Sequence, residues 1–375
     1  MKKLSTIMTA APVAVVGLGA LTAMPVSAAS TTITTTDFEE AIATLDTPTA
    51  KGITCRSDGG DQWCVLSDEY VLGGDVNLGT LTYELELSGN AKLDLGGYTY
   101  TGIIRTDFSG NTSASITNGT ISGSIQSSVA SLTLSGLTLD GTIDIYRTNL
   151  TITDGTYISD TWWPTLNVGN GSTVNISGGN FKNTVDAPAL SAYNDENDTT
   201  TTINISGGDF FSAGFAAIDL NNEPGFAEGP VITNISGGNF KGGFAGMQVV
   251  VPSLNTISLT GGTFTTLDTE NGGAIVSYED GVDGIKNMLA DGYSYTVNSD
   301  ILAQTGLGAM YYIPVTTTVA KAGDDATIGS PDTGALDTTG AKTATVSVLG
   351  TVAAGFAAAA SILGIKKLAS RKADK

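Results

Sequence analysis

Apolar and polar residues alternate along much of this chain, and the alternating runs end in Gly-Gly or in Asn or Asp followed by Gly. In 173–176 (TVNI), Val174 and Ile176 fall on one side, and Thr173 and Asn175 on the other. Period two predicts a strand with one apolar face. β-Branched residues favour it, and the glycines end it. The phrase recurs as NISGGNF (175–181), NISGGDF (204–210), NISGGNF (234–240) and SLTGGTF (258–264). Earlier versions are LGGYTY (95–100), ITNGTI (116–121), LSGLTL (134–139) and ITDGTY (152–157), and LADGYSY (289–295) extends the series. Repeats of roughly 20–30 residues signal a solenoid.

A second phrase lies inside the longer repeats: Leu166-Asn167-Val168, Leu190-Ser191-Ala192, Ile218-Asp219-Leu220, Met247-Gln248-Val249 and Ile275-Val276-Ser277. Its spacing nearly follows that of the first phrase, so each repeat carries at least two strands in fixed order. Like strands then stack in parallel at about 4.8 Å per repeat. No helical period lies between them, which excludes leucine-rich and ankyrin-type arrays. The expectation is an all-β parallel β-helix. The pattern resembles the pectate-lyase-like β-helix, and that resemblance implies right-handed coiling.

The packing follows. Ile176, Ile205, Ile235 and Leu259 should form one inward stack, and Phe181, Phe210, Phe240 and Phe264 another. The Gly pairs should sit at sharp turns with positive φ, so that a bulky residue at Gly178, Gly207 or Gly237 disrupts its repeat. Solenoid ends need covers. Thr36-Asp37-Phe38-Glu39 has the form of a capping box, and Phe38, Ala41, Ile42 and Leu45 fall on one helical face. A short helix over 36–46 is therefore expected to lid the N-terminal end. Runs 81–87 and 91–95 should begin the first repeats, and 310–319 should be a last strand.

Composition narrows the chemistry. The chain has no His and two Cys, and its formal net charge is −20. Residues 30–334 hold nine basic side chains against 35 acidic ones. Such a surface repels nucleic acid and anionic lipid. Without His, the commonest general base and transition-metal ligand are missing. Two Cys are too few for a thiolate zinc site.

The ends read as addresses. Residues 1–28 have a Lys pair, an apolar run and a small-residue cleavage pattern at Val26-Ser27-Ala28, the form of a secretory signal peptide. Export exposes Cys55 and Cys64 to oxidising conditions, so they are expected to pair. Closing that short loop should contribute roughly 2–3 kcal/mol. Residues 346–365 are apolar and uncharged, long enough to span a bilayer, and 366–375 form a basic tail that should stay cytoplasmic. Ser330-Pro331-Asp332-Thr333-Gly334, the apolar span and the tail resemble the sorting signal of sortase-anchored bacterial surface proteins, with Ser330 where Leu is usual. The resemblance implies cleavage between Thr333 and Gly334 and attachment of Thr333 to peptidoglycan. A plain single-span membrane anchor is the other reading.

Candidate chemistry is sparse. Asn175, Asn204, Asn234 and Ser258 form one outward column, best read as an amide ladder. Asn167, Ser191, Asp219 and Gln248 form a second that could face a sugar, with Asp219 as its lone acid. A hydrolase needs two carboxylates, and only Glu223 and Glu228 on the next loop are near in sequence. Acidic insertions hold Asp195, Glu196 and Asp198; Asp268 and Glu270; and Glu279, Asp280 and Asp283. Ca²⁺ is the ion such oxygen ligands take, but no fixed-spacing motif is present and no cofactor is required. Lys182 and Lys241 read as surface lysines. Trp162-Trp163, beside Tyr157, offer rings for stacking on a glycan.

The organisation expected is a signal peptide (1–28), a segment with the capping helix (29–50), the β-helix (51–319), a linker with the sorting motif (320–345), a membrane span (346–365) and a tail (366–375). The function expected is a non-catalytic adhesin, stalk or glycan-contacting scaffold at the cell wall or surface. Its partners would be sortase, peptidoglycan, the membrane through the C-terminal segment, and glycans, host surfaces or neighbouring cells. A surface-attached polysaccharide lyase or glycoside hydrolase is the alternative. An ice-binding solenoid fits poorly, because the repeats differ in length.

Overall fold

A computed structural model describes residues 30–79, 82–110, 112–220, 229–250, 252–278, 281–296, 301–304, 310–314 and 316–322. The signal-like segment, the sorting motif, the apolar span and the tail lie outside these residues, as do Glu223, Glu228, Glu279 and Asp280. Among the described residues, no helix is long and apolar enough to cross a membrane.

The fold is all-β, with mostly parallel pairing. In the middle of the chain each strand pairs with the third strand after it. Asn149–Ile152 pairs with Thr173–Ile176, which pairs with Thr201–Ile205, Val231–Ile235 and Asn255–Leu259 in turn. We call this the A-ladder. The B-ladder runs Thr156–Ser159, Asn180–Asn183, Asp209–Ser212, Asn239–Gly242, Thr263–Thr266. The C-ladder runs Leu166–Val168, Leu190–Ala192, Ala216–Leu220, Ala245–Val249, Gly273–Tyr278. Each repeat thus carries three strands: the second half of the repeated phrase, beyond Gly-Gly, is a strand of its own. Two long strands, Ser113–Ser128 and Ser131–Tyr146, run through all three ladders and pair over their length. Length differences fall between ladders and leave the register intact.

The interior is built from columns. Ile116, Leu134, Ile152, Ile176, Ile205, Ile235 and Leu259 stand in register in the A-ladder and are buried. In the B-ladder Tyr157, Phe181, Phe210, Phe240 and Phe264 stack with ring centroids 4.8, 4.8, 5.1 and 4.9 Å apart. That spacing is set by the strand separation, so rings at equivalent positions must lie face to face. Burying each ring contributes roughly 1.5–3 kcal/mol, and ring contact adds about 0.5–1.5 kcal/mol.

The two glycines of each pair have separate duties. The second one, Gly179, Gly208, Gly238 or Gly262, has φ of 104, 106, 104 or 100°. The first does not have positive φ. Instead a Cβ on Gly178, Gly207, Gly237 or Gly261 would lie 2.5, 2.6, 2.5 or 2.1 Å from a carbonyl oxygen of the repeat before. Expecting positive φ there was therefore wrong, and close backbone approach is the reason those positions exclude side chains.

The N-terminal cover differs from expectation in detail. The helix is Thr35–Ala43, capped by Thr34, whose N–H donates to the Asp37 carboxylate at 2.7 Å. Thr36 and Glu39 are not the capping pair. Lys51 also reaches Asp37 at 2.8 Å. Phe38 and Ala41 are fully buried, while Leu45 lies beyond the helix and is 41% exposed. Parallel pairing starts earlier than expected, with Thr31–Ile33 beside Glu69–Leu72, so a strand ahead of the helix joins the sheet. Thr54–Asp58 and Asp61–Leu66 form an antiparallel hairpin in which Cys55 and Cys64 are opposite and disulfide-bonded.

The C-terminal end is closed by reversed strands. Met310–Ile313 pairs antiparallel with Gly273–Tyr278, and Thr317–Lys321 antiparallel with Thr263–Thr266. The expected last strand is thus two strands on different ladders. LADGYSY is not a further parallel repeat: Leu289 makes one parallel bridge to Leu259, and Tyr293–Tyr295 pairs antiparallel with Thr317–Lys321. Reversed strands end a parallel stack and leave less edge open to another chain.

Candidate functional site

The C-ladder carries the polar column that the sequence singled out. Asp144, Asn167, Ser191, Asp219 and Gln248 stand in register, followed by Val276 and Tyr312. The neighbours Leu166, Val168, Ile218 and Leu220 pack in the core. By alternation the polar column lies on the opposite side of the strands. It is nevertheless covered: Asn167, Ser191, Asp219 and Gln248 are 8, 7, 6 and 3% exposed. The expectation that these residues face a sugar directly is corrected by that burial. Outside the main core, a second apolar cluster of Phe215, Ala216, Ala245, Val276 and Met310, flanked by Phe244, Tyr278 and Tyr312, packs over the later repeats.

Asp144 was missed in the sequence. It lies one repeat before Asn167, inside a long strand with no turn to mark it; the signal was Ile143-Asp144-Ile145, the same phrase once more. Trp163 Nε1 donates to Asp144 Oδ1 at 2.7 Å and Asn167 Nδ2 to the same oxygen at 3.1 Å. Burial pushes the Asp144 carboxyl above its ordinary value, and the two donors only partly offset that. Further along, burial and the Asp219 carboxylate push the Tyr278 phenol up to about 12. Asp144 and Asp219 are three strand spacings apart, about 14 Å at ~4.8 Å each. Glycoside hydrolysis needs its two carboxyls within about 5–9.5 Å, so this pair cannot share one glycosidic bond.

The two tryptophans separate. Trp162 is 76% exposed, whereas Trp163 is half-buried with its N–H committed to Asp144. Tyr157 belongs to the core stack, so it is no part of a surface patch. Lys182 lies 5.8 Å from the Phe211 ring centre, and Phe211 stands between Lys182 and Lys241 in register.

In the acidic insertions, Asp195, Glu196 and Asp268 are engaged by the protein itself. Burial raises the Glu196 carboxyl, but Tyr146 and Arg147 outweigh it and hold Glu196 below the usual range. Arg147 Nη2 donates to Glu196 at 2.6 Å, the Tyr146 hydroxyl donates to its other oxygen, and Asn170 Nδ2 donates to Asp195. Asp268 accepts the backbone N–H groups of Glu270 and Asn271 at 3.0 Å each. Among the described residues, no group of three or more His, Cys, Asp or Glu side chains is placed to hold a metal.

The A-ladder amides bond along the stack. Asn204 Nδ2 donates to Asn175 Oδ1 at 3.0 Å, and Asn234 Nδ2 to Asn204 Oδ1 at 2.9 Å. Ser258 follows Asn234 in the same column.

Comparison with protein-family models, with curated proteins and with solved structures finds no match to this chain.

Proposed function

We propose that this chain is an exported, non-catalytic surface protein whose three ladders close into a right-handed parallel β-helix. On this reading the stack is a rigid stalk. Its C-terminal end leads into the linker, and sortase joins Thr333 to peptidoglycan. Trp162 and the loop around it touch glycans or neighbouring surfaces.

The observation that carries the reading is the way outward polar groups are used. The Asn175–Asn204–Asn234 amides, the Asp144–Trp163–Asn167 group and the Arg147–Glu196 pair bind one another across repeats. Such bonds stiffen a stack of repeats, each of which otherwise touches only its neighbours. Trp162, at 76%, is the most exposed large hydrophobic side chain among the described residues, and exposed rings of this type stack on sugar faces.

The test is retention and turnover on a panel of neutral and acidic polysaccharides with Ca²⁺ present. The reading predicts retention without chain shortening, and loss of retention in Trp162→Ala. One observation favours the alternative of a surface-attached lyase or hydrolase: the raised carboxyl of Asp144, the condition of a general acid. Shortened chains whose release stops in Asp144→Asn would establish that alternative and overturn the scaffold reading.

A further inference from the structure

We propose that the outer face of the A-ladder is a self-recognition surface, which pairs with the same face of a second copy of this chain. Seven strands stack there in register, from Ser113–Ser128 to Asn255–Leu259. Each offers three outward positions. The first column runs from Ser113 to Thr256, the second from Ser115 through the three asparagines to Ser258, and the third from Thr117 to Thr260. Every position is Ser, Thr or Asn except Ile232. None is charged, in a chain whose formal net charge is −20. Charge returns at the edge of this field, where Lys92 pairs with Ser115 and Asp94 with Thr117.

The occupant follows from charge and symmetry. Copies of so acidic a chain repel each other. Contact through the uncharged field keeps their carboxylates apart. Hydroxyls and carboxamides both donate and accept, so the face complements itself after a two-fold rotation. Along the stack Asn175 spends one lone pair, Asn234 one N–H and Asn204 one of each, and every amide keeps a further N–H and lone pair for a partner. Ladders of this type pack into dry, interdigitated interfaces when two such sheets meet. No aromatic side chain lies in the field to stack on sugar, which argues against a glycan occupant there. The repeat lengths vary outside this ladder, so its face keeps a regular period.

The area sets the strength. Six spacings of ~4.8 Å and three outward residues per strand give a field of about 29 by 13 Å. Two such faces bury about 800 Å², below the 1,200–2,000 Å² typical of a stable complex. A single pair is therefore weak. Many pairs between dense arrays gain about 10²–10⁴ in avidity, the situation of copies fixed to one surface or to two apposed surfaces.

The experiment coats beads with the full chain through its C-terminal tail and scores clustering by light microscopy at several coating densities. Clustering should appear above a threshold density and strengthen with salt, as screening relieves repulsion. Thr133→Glu with Thr256→Glu places like charges on exposed positions of the field and should lower clustering at least tenfold. Thr138→Glu with Thr269→Glu adds the same charge elsewhere and should leave it unchanged. Circular dichroism and melting of each variant separate misfolding from lost contact. Parent beads that stay dispersed at all densities would overturn the proposal. So would equal clustering of both double variants, or clustering that requires an added polysaccharide.

Discussion

Truncating Phe210 to Ala is the sharpest perturbation of the stack. Its ring is fully buried, 4.8 Å from Phe181 and 5.1 Å from Phe240. Removing a buried Phe ring typically costs about 3–5 kcal/mol, transfer and cavity terms together. Phe210 loses a ring contact on both sides, and strand pairing above and below holds the cavity open. The cost should therefore fall at the upper end, about 4–5 kcal/mol. Phe210→Leu keeps most of the volume and should cost about 1–1.5 kcal/mol. Tyr98→Ala, at a ring 40% exposed, is the control and should cost under about 0.5 kcal/mol. Urea unfolding followed by far-UV circular dichroism and by Tyr and Trp fluorescence measures all three. Repeat proteins can unfold in parts, so coincidence of the probes must be checked first. A loss below about 1.5 kcal/mol for Phe210→Ala, with coincident probes, would refute the continuous stacked core.

Three further outcomes follow from the same contacts. Gly261→Ala, where a Cβ would stand 2.1 Å from the Ser236 carbonyl oxygen, should lower the melting temperature more than an Ala at half-buried Gly74, whose Cβ would meet no atom within 4 Å; equal melting would remove the close-approach explanation. Replacing both Cys55 and Cys64 by Ser should cost roughly 2–3 kcal/mol and abolish the sensitivity of the parent's melting to reductant. Asp144 has a raised carboxyl, so the folded state binds more protons than the unfolded one between its ordinary value of 3.8 and its folded value. Its penalty is absent below that window and complete above it. Asp144→Asn, which keeps an acceptor for Trp163, should therefore gain stability relative to the parent as pH rises from about 3 to 7; a parallel pair of stability–pH curves would contradict the assignment.

Much of the repeat architecture was legible, and the misses have physical causes. Strand faces follow from period two, so the Ile and Phe columns could be named from spacing alone. Period two also places Asn167, Ser191, Asp219 and Gln248 outward, but alternation says nothing about what packs over an outward residue. Strand direction is equally silent: 310–313 and 317–321 read the same in a parallel or an antiparallel pairing. Within a Gly-Gly pair both residues look alike, and only the backbone of the preceding repeat distinguishes positive φ from close approach. The helix cap was misplaced because residues 31–36 offer five threonines as caps, and the choice fell to Asp37 reaching back to the Thr34 N–H. Asp144 hid inside a strand of 16 residues with no turn phrase beside it.

The proposed role as a wall-held stalk is tested most directly at its C-terminus. Wall material from cells making this protein can be digested with muralytic enzyme and trypsin, and the peptides read by mass spectrometry. The account predicts a peptide ending at Thr333 joined to a wall fragment. Mature protein that still carries 334–375 would contradict it.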